Sequence, residues 1–122
     1  MVRVQNVDRG TVLASRARRA GSFWARGRGL MFERALPAGG GLLIEPCSSI
    51  HMFGMRFAID VLYVNTQHRV VRAQEGIKPW RIGPLHTRNA RYVIELPTGA
   101  IRASGTLVGD QLRVEPDSLH AD

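Results

Sequence analysis

Cys47 and His51 stand four residues apart in CSSIH, a spacing at which a thiol and an imidazole can act together. Such a pair can serve as nucleophile and base, or as two ligands of a zinc ion. Structural zinc takes four protein ligands, and the chain has a single cysteine. The remaining histidines fall elsewhere: His68 in a turn, His86 in a loop and His120 near the last residue. A set of Cys47, His51 and Asp60 would have to reach across the strand that separates its last two members. No metal and no other cofactor is therefore expected. The plainer expectation is a buried thiol beside a hydrogen-bonded core histidine, with a hydrolase-type enzyme using Cys47 and His51 as the alternative.

A second set of ionisable groups lies inside apolar runs. Arg56 and Asp60 sit in HMFGMRFAID, and Glu95 sits in RYVIELP. On a strand, Arg56 and Asp60 would be about 13 Å apart, too far for an easy direct pair. Each then needs another partner, because an unpaired buried charge is costly. Backbone N–H groups or a neighbouring arginine would serve Asp60, and Glu45 or Glu95 would serve Arg56. Glu95, flanked by Ile94 and Leu96, is expected to clamp an arginine; the alternative is a carboxyl whose pKa is raised by burial. Pro79, Trp80 and Arg81 in IKPWRIG predict a rigid loop, one that could line a ligand mouth or plug the end of the fold.

These groups need elements to hold them. Thirteen glycines and six prolines are spread along the 122 residues, with short β-rich runs between them. RVQNV and TVLASRAR flank DRG, which reads as a hairpin with Gly10 at a positive φ. Ser22 is a candidate N-cap for a short helix from Phe23, broken by Gly27 and Gly29. Strands are expected at Leu42–Glu45, in MRFAIDVLYVN, in HRVVRAQE, in RYVIELP and in DQLRVE, with one helical turn in TGAIRASG. MRFAIDVLYVN is the strongest of them. Run back to His51, it puts His51, Phe53, Met55, Phe57, Ile59, Val61 and Tyr63 on one face. Both faces are apolar enough for a central strand, with Gly54 at a close approach or a bulge. The fold class is mainly β: a compact β-sandwich or partly open barrel with one or two short helices. A single domain over 1–115 is expected, with a frayed tail at 116–122.

Composition narrows the function classes. The formal net charge is +7, carried mostly by arginine, with Lys78 the one lysine. Eight of the sixteen arginines fall at or before Arg34, which offers weak nucleic-acid binding as a further alternative, yet no aromatic residues interleave with them in the manner that stacks bases. Nucleic acid is therefore an unlikely partner, and the Arg-rich, Lys-poor balance reads as coding bias in a GC-rich bacterial genome. No apolar run approaches the ~20 residues of a membrane span. The N-terminal residues have no apolar secretory core, so a cytoplasmic location is expected. GLMFERALPAGGGL has three consecutive glycines but no Walker spacing after them, and no G-x-S-x-G or H-E-x-x-H is present.

The order of GRGLMFERAL, HMFGMRFAIDVLYVN, RVV, PWR, YVIELPTGAI and GTLVGDQLRV resembles an uncharacterised prokaryotic family, domain of unknown function 192. The resemblance runs from about Arg16 to Val114. It implies a compact β-rich domain and brings no activity or catalytic residue with it. The functional expectation is a non-enzymatic binding or accessory module. Arg56, Asp60 and Glu95 would form a polar site for a small anionic ligand or peptide, with His51, Trp80 and Arg81 near its rim.

Overall fold

The computed structural model describes residues 1–80 and 86–116. Arg81, within the expected rim, and His120 lie outside them, as does most of the tail. Seven strands form one sheet: β1 Val2–Asn6, β2 Thr11–Ala20, β3 Gly40–Ile44, β4 Ile59–Val64, β5 Val70–Ile77, β6 Tyr92–Pro97 and β7 Leu112–Pro116. Their order across the sheet is β5-β4-β6-β3-β2-β1-β7. The β2–β3 pair is parallel and the others are antiparallel. The sheet curls into a half-barrel. Its two ends approach where the Val70 N–H donates to the Asp110 carbonyl at 3.0 Å and the Leu112 N–H donates to the His68 carbonyl at 2.8 Å. The mainly β, partly open barrel expected from the sequence is the observed class.

Two short helices complete it, α1 Phe23–Arg28 and α2 Ala100–Ser104. Ser22 caps α1 by accepting the Ala25 N–H on its hydroxyl, and Gly29 ends the helix at φ 52°. Gly27 does not break it but lies inside.

Side chains alternate along each strand, so a curled sheet has two apolar faces to cover. The inner face packs Val4, Leu43, Leu62, Val64, Ile94 and Leu96 with Ile101 of α2. The outer face packs Leu42, Ile44, Ile59, Val61, Tyr63 and Val93 beneath Leu30, Ile50, Met52 and Met55. Fully burying each such aliphatic side chain is worth roughly 1.5–3 kcal/mol. All six residues of β4 are buried, as a central strand requires.

The expectation for HMFGMRFAID is corrected here. Only Ile59 and Asp60 belong to the strand, and 51–58 is irregular backbone laid over the outer face. Its hydrogen bonds go elsewhere: the Met52 carbonyl accepts from the Trp80 N–H at 2.8 Å, and the Gly54 carbonyl accepts from the Phe32 N–H at 2.8 Å. Gly54 has φ +73°, and a β-carbon there would meet the Phe32 ring at 3.0 Å. Its role is a close approach, with Met52 and Met55 turned down onto the sheet. His51 and Phe53 therefore do not share a strand face with Ile59 and Val61.

Candidate functional site

Asp60 projects from β4 on the inner side. Its carboxylate accepts the Gly76 N–H at 2.9 Å and the Gly99 and Ile101 N–H groups at 3.1 Å each. It ties β5 and the start of α2 to the central strand, one of the partner types that its burial demands. Glu95 projects from β6 to the opposite side, because it is one residue out of phase: Leu96 pairs with Asp60, while Glu95 pairs with Val61 and Leu42. Arg56 is exposed on the covering segment. The fold thus separates Arg56, Asp60 and Glu95, which were expected to meet. Among the described residues no ion pair joins Glu95 to an arginine or Glu45 to Arg56: Glu45 lies within ion-pair range of Arg19 and Arg91, at 3.7 and 3.5 Å.

What gathers around Glu95 is a different set. A cavity of about 30 Å³ opens beneath α1, lined among others by Arg26, Gly29, Cys47, His51, Met55 and Glu95. That volume holds about one water-sized group. Three buried polar atoms on its lining residues have no hydrogen-bond partner: Arg26 Nε, His51 Nδ1 and Glu95 Oε1. Buried polar groups are nearly always paired, so three such atoms around one small space make a functional-site candidate.

Each group is held in place by its own element. Glu95 is 3% exposed, and burial pushes its carboxyl up to about 7, with Glu33 adding a smaller push in the same direction. Arg26 comes from the last turn of α1 and donates through Nη1 to the Pro46 carbonyl at 3.1 Å. His51 makes a 3.1 Å bond from Nε2 to the Gly27 carbonyl. A carbonyl only accepts, so Nε2 carries the proton, and the buried, unpartnered Nδ1 is without one in the neutral ring. The Cys47 thiol donates to the Ser49 carbonyl at 2.9 Å, and burial raises its pKa. Cys47 and His51 are thus each bonded to a backbone carbonyl. Among the described residues, no group of three His, Cys, Asp or Glu side chains could hold a metal ion. His68 and His86 are accounted for by Tyr92 at 2.8 Å and Ser48 at 3.1 Å.

The remaining expected residue, Trp80, does not line this cavity but is linked to His51 through Phe53. His51 stacks on Phe53 at 5.7 Å between ring centroids, and Phe53 lies 6.3 Å from Trp80. Sequence reasoning missed Arg26 and Gly29. Their signal was the Ser22 cap, which sets the length of α1 and so puts RGRG at its C-terminal end; what lies beneath that end is long-range.

Residues 4–114 match the family described as Uncharacterized ACR, domain of unknown function 192. The chain belongs to that family. A UPF0127 protein of Pyrococcus furiosus is 36% identical over 112 residues, covering 88% of this chain and 93% of that one. A UPF0127 protein of Pyrococcus horikoshii is 37% identical over 99 residues, covering 77% and 83%. These relatives are archaeal, so membership gives no ground for a specifically bacterial source. A crystal structure of a protein of unknown function from Novosphingobium aromaticivorans shares the fold, with TM-score 0.78 and 22% identity over 92% of this chain and 82% of that one. No helix among the described residues is long and apolar enough to cross a membrane.

Proposed function

We propose that this family member is a non-enzymatic module that binds a small anion, and that its site is the cavity between α1 and β6. The supporting observation is that Arg26, His51 and Glu95 line one small cavity and that each carries a buried side-chain atom without a hydrogen-bond partner: Nε, Nδ1 and Oε1. The Arg26 guanidinium is a permanent donor. With a proton on Glu95, its carboxyl becomes a second donor beside the guanidinium. A carboxylate oxygen fits both the polarity and the volume. The charged and titratable groups around Glu95 among the described residues are Arg26 and Arg28 of α1, Glu33 after it, Cys47 after β3, His51 of the covering segment, and Tyr63 on β4. Glu33 is engaged by Arg18 at 2.7 Å and Arg28 at 3.2 Å, and of the two lining arginines Arg26 is the one with no carboxylate partner among the described residues. The net charge of +7 also favours anion approach.

Binding is favoured over covalent catalysis by the state of Cys47. Its thiol is held by Ser49, its pKa is raised, and the imidazole is committed to Gly27. An activated nucleophile shows the reverse: a lowered pKa and a hydrogen bond to its base.

The test is calorimetric titration with acetate and formate at pH 5.5, 7 and 8.5, in buffers of different ionisation enthalpy. Affinity should rise as pH falls through about 7, with net proton uptake on binding. No binding at pH 5.5, or proton release on binding, would overturn the assignment.

A further inference from the structure

We infer that the anion this site accepts is the carboxylate of a flat, apolar acid, whose body lies on an aromatic rim formed by Phe53, Trp80 and Phe32. This rests on the anion-binding reading of the cavity and adds the substrate class. The cavity is too small for more than the head of a ligand. Whatever carries that head must rest on the mouth.

Two paths of contact lead from the cavity to the rim. His51 lines the cavity and stacks on Phe53, which is next to Trp80. Met31 lines it from the other side, and its chain neighbour Phe32 packs against Gly54. The rim rings are open to solvent: Phe53 is 46% exposed, and Phe32 and Trp80 are 65% exposed each. Large aromatic side chains are normally covered, so exposed rings in contact with, or next in the chain to, residues that line a cavity point to a contact surface.

Their backbone gives a second, independent indication. Phe32 and Trp80 have φ of 66° and 65°, a region bulky side chains rarely occupy. Each is held there by its own N–H, Phe32 by the Gly54 carbonyl and Trp80 by the Met52 carbonyl, both at 2.8 Å. Such strain persists where surrounding structure enforces it, and it clusters at ligand clamps. Here it fixes two exposed rings on the segment that carries His51 and Met55.

Charge selects among occupants. Arg34, Arg56 and Lys78 are exposed and lie within three residues of Phe32, Phe53 and Trp80. A second copy of the chain would bring a like-charged rim against this one. A ligand with one negative head and an aromatic face satisfies the cavity, the rings and the cations together.

The experiment compares acetate, phenylacetate and 2-phenylethanol by calorimetry at pH 5.5, for the unmodified chain and for Phe53→Ala and Trp80→Ala. Sedimentation is run in parallel, and circular dichroism checks the fold of each variant. Phenylacetate is expected to bind at least tenfold tighter than acetate, and phenylethanol far more weakly than phenylacetate. In either variant the phenylacetate-to-acetate ratio should fall below threefold. Acetate and phenylacetate binding with equal affinity would overturn the aromatic inference and leave the anion reading standing. Neither acid binding would remove both. Phenylethanol matching phenylacetate would show that the rim binds without the carboxylate and overturn the inference. A dimer abolished by Trp80→Ala would assign the rim to a second copy instead.

Discussion

Gly29 stands directly over Glu95: a β-carbon on Gly29 would lie 3.5 Å from Oε1 of the carboxyl and 3.9 Å from Cδ1 of Ile44. The glycine ends α1 at φ 52° and ψ −127°, a conformation open to glycine and strained for any other residue. Gly29→Ala is expected to cost about 1–3 kcal/mol by denaturant unfolding, most of it from backbone strain. It should also weaken acetate binding, because the added methyl takes up part of a cavity that holds about one water-sized group. Unfolding within about 0.5 kcal/mol of the unmodified chain would show that the turn is not constrained as described.

Glu95 predicts how stability depends on pH. Its carboxyl ordinarily titrates near 4.5 and here is pushed up to about 7. Below 4.5 both the folded and the unfolded chain hold this proton. Between 4.5 and about 7 the unfolded chain has lost it and the folded chain keeps it. Folding therefore favours the protonated form, and stability falls as pH rises through this window until the folded chain also ionises. The full loss above 7 corresponds to about 3 kcal/mol. Glu95→Gln keeps the shape without the charge, so it should raise stability at pH 8.5 by an amount of that order. Thermal or urea unfolding from pH 5 to 8.5 reads both. A Glu95→Gln variant with the same decline as the unmodified chain would assign the effect to another group.

The parts of this picture legible in the sequence are those that depend on local pattern. Ile59–Val64 and Tyr92–Pro97 read as strands because apolar residues, many of them β-branched or aromatic, stand on both faces, with a single carboxylate in each run. Ser22 and Gly10 read correctly because caps and turns are short-range chemistry. His51–Ala58 misled because its apolar content is as high as a strand's, for a different reason. It is a cover for the outer face of a curled sheet, and that need is invisible until the sheet is built. The phase between Asp60 and Glu95 was equally hidden. Each was recognisable as an ionisable residue among hydrophobes, but their opposite directions follow from the β4–β6 register, a long-range property.

Asp60 should matter to stability rather than to binding. Three backbone N–H groups, on Gly76, Gly99 and Ile101, converge on its carboxylate, which is 1% exposed. Asp60→Ala strips all three at once. Leaving a buried donor unpaired costs about 1–3 kcal/mol, so a loss of roughly 3 kcal/mol or more is expected in urea unfolding. Asp60→Asn keeps one acceptor oxygen and should lose less. In either variant that still folds, phenylacetate affinity should stay within about twofold, because Asp60 faces away from the cavity. A tenfold drop in affinity with the fold intact would put Asp60 back among the binding groups.

Cys47 separates a binding module from a thiol enzyme. A reactive cysteine is a thiolate at neutral pH, stabilised by a cation or an adjacent base. The Cys47 proton is instead held on the Ser49 carbonyl, and burial opposes its loss more strongly than Arg26 favours it. Iodoacetamide at pH 7.5 should therefore alkylate native Cys47 at least tenfold more slowly than the same thiol in urea, with the rate still climbing above pH 9. The predicted order of rates, denatured above native, is the reverse of what an activated nucleophile gives. Native alkylation faster than denatured, with an inflection below pH 8, would mean that Cys47 is ionised in the fold. The imidazole of His51 would then have to be its counter-ion rather than a partner of Gly27, and the case for a nucleophile in this cavity would displace the case for an anion.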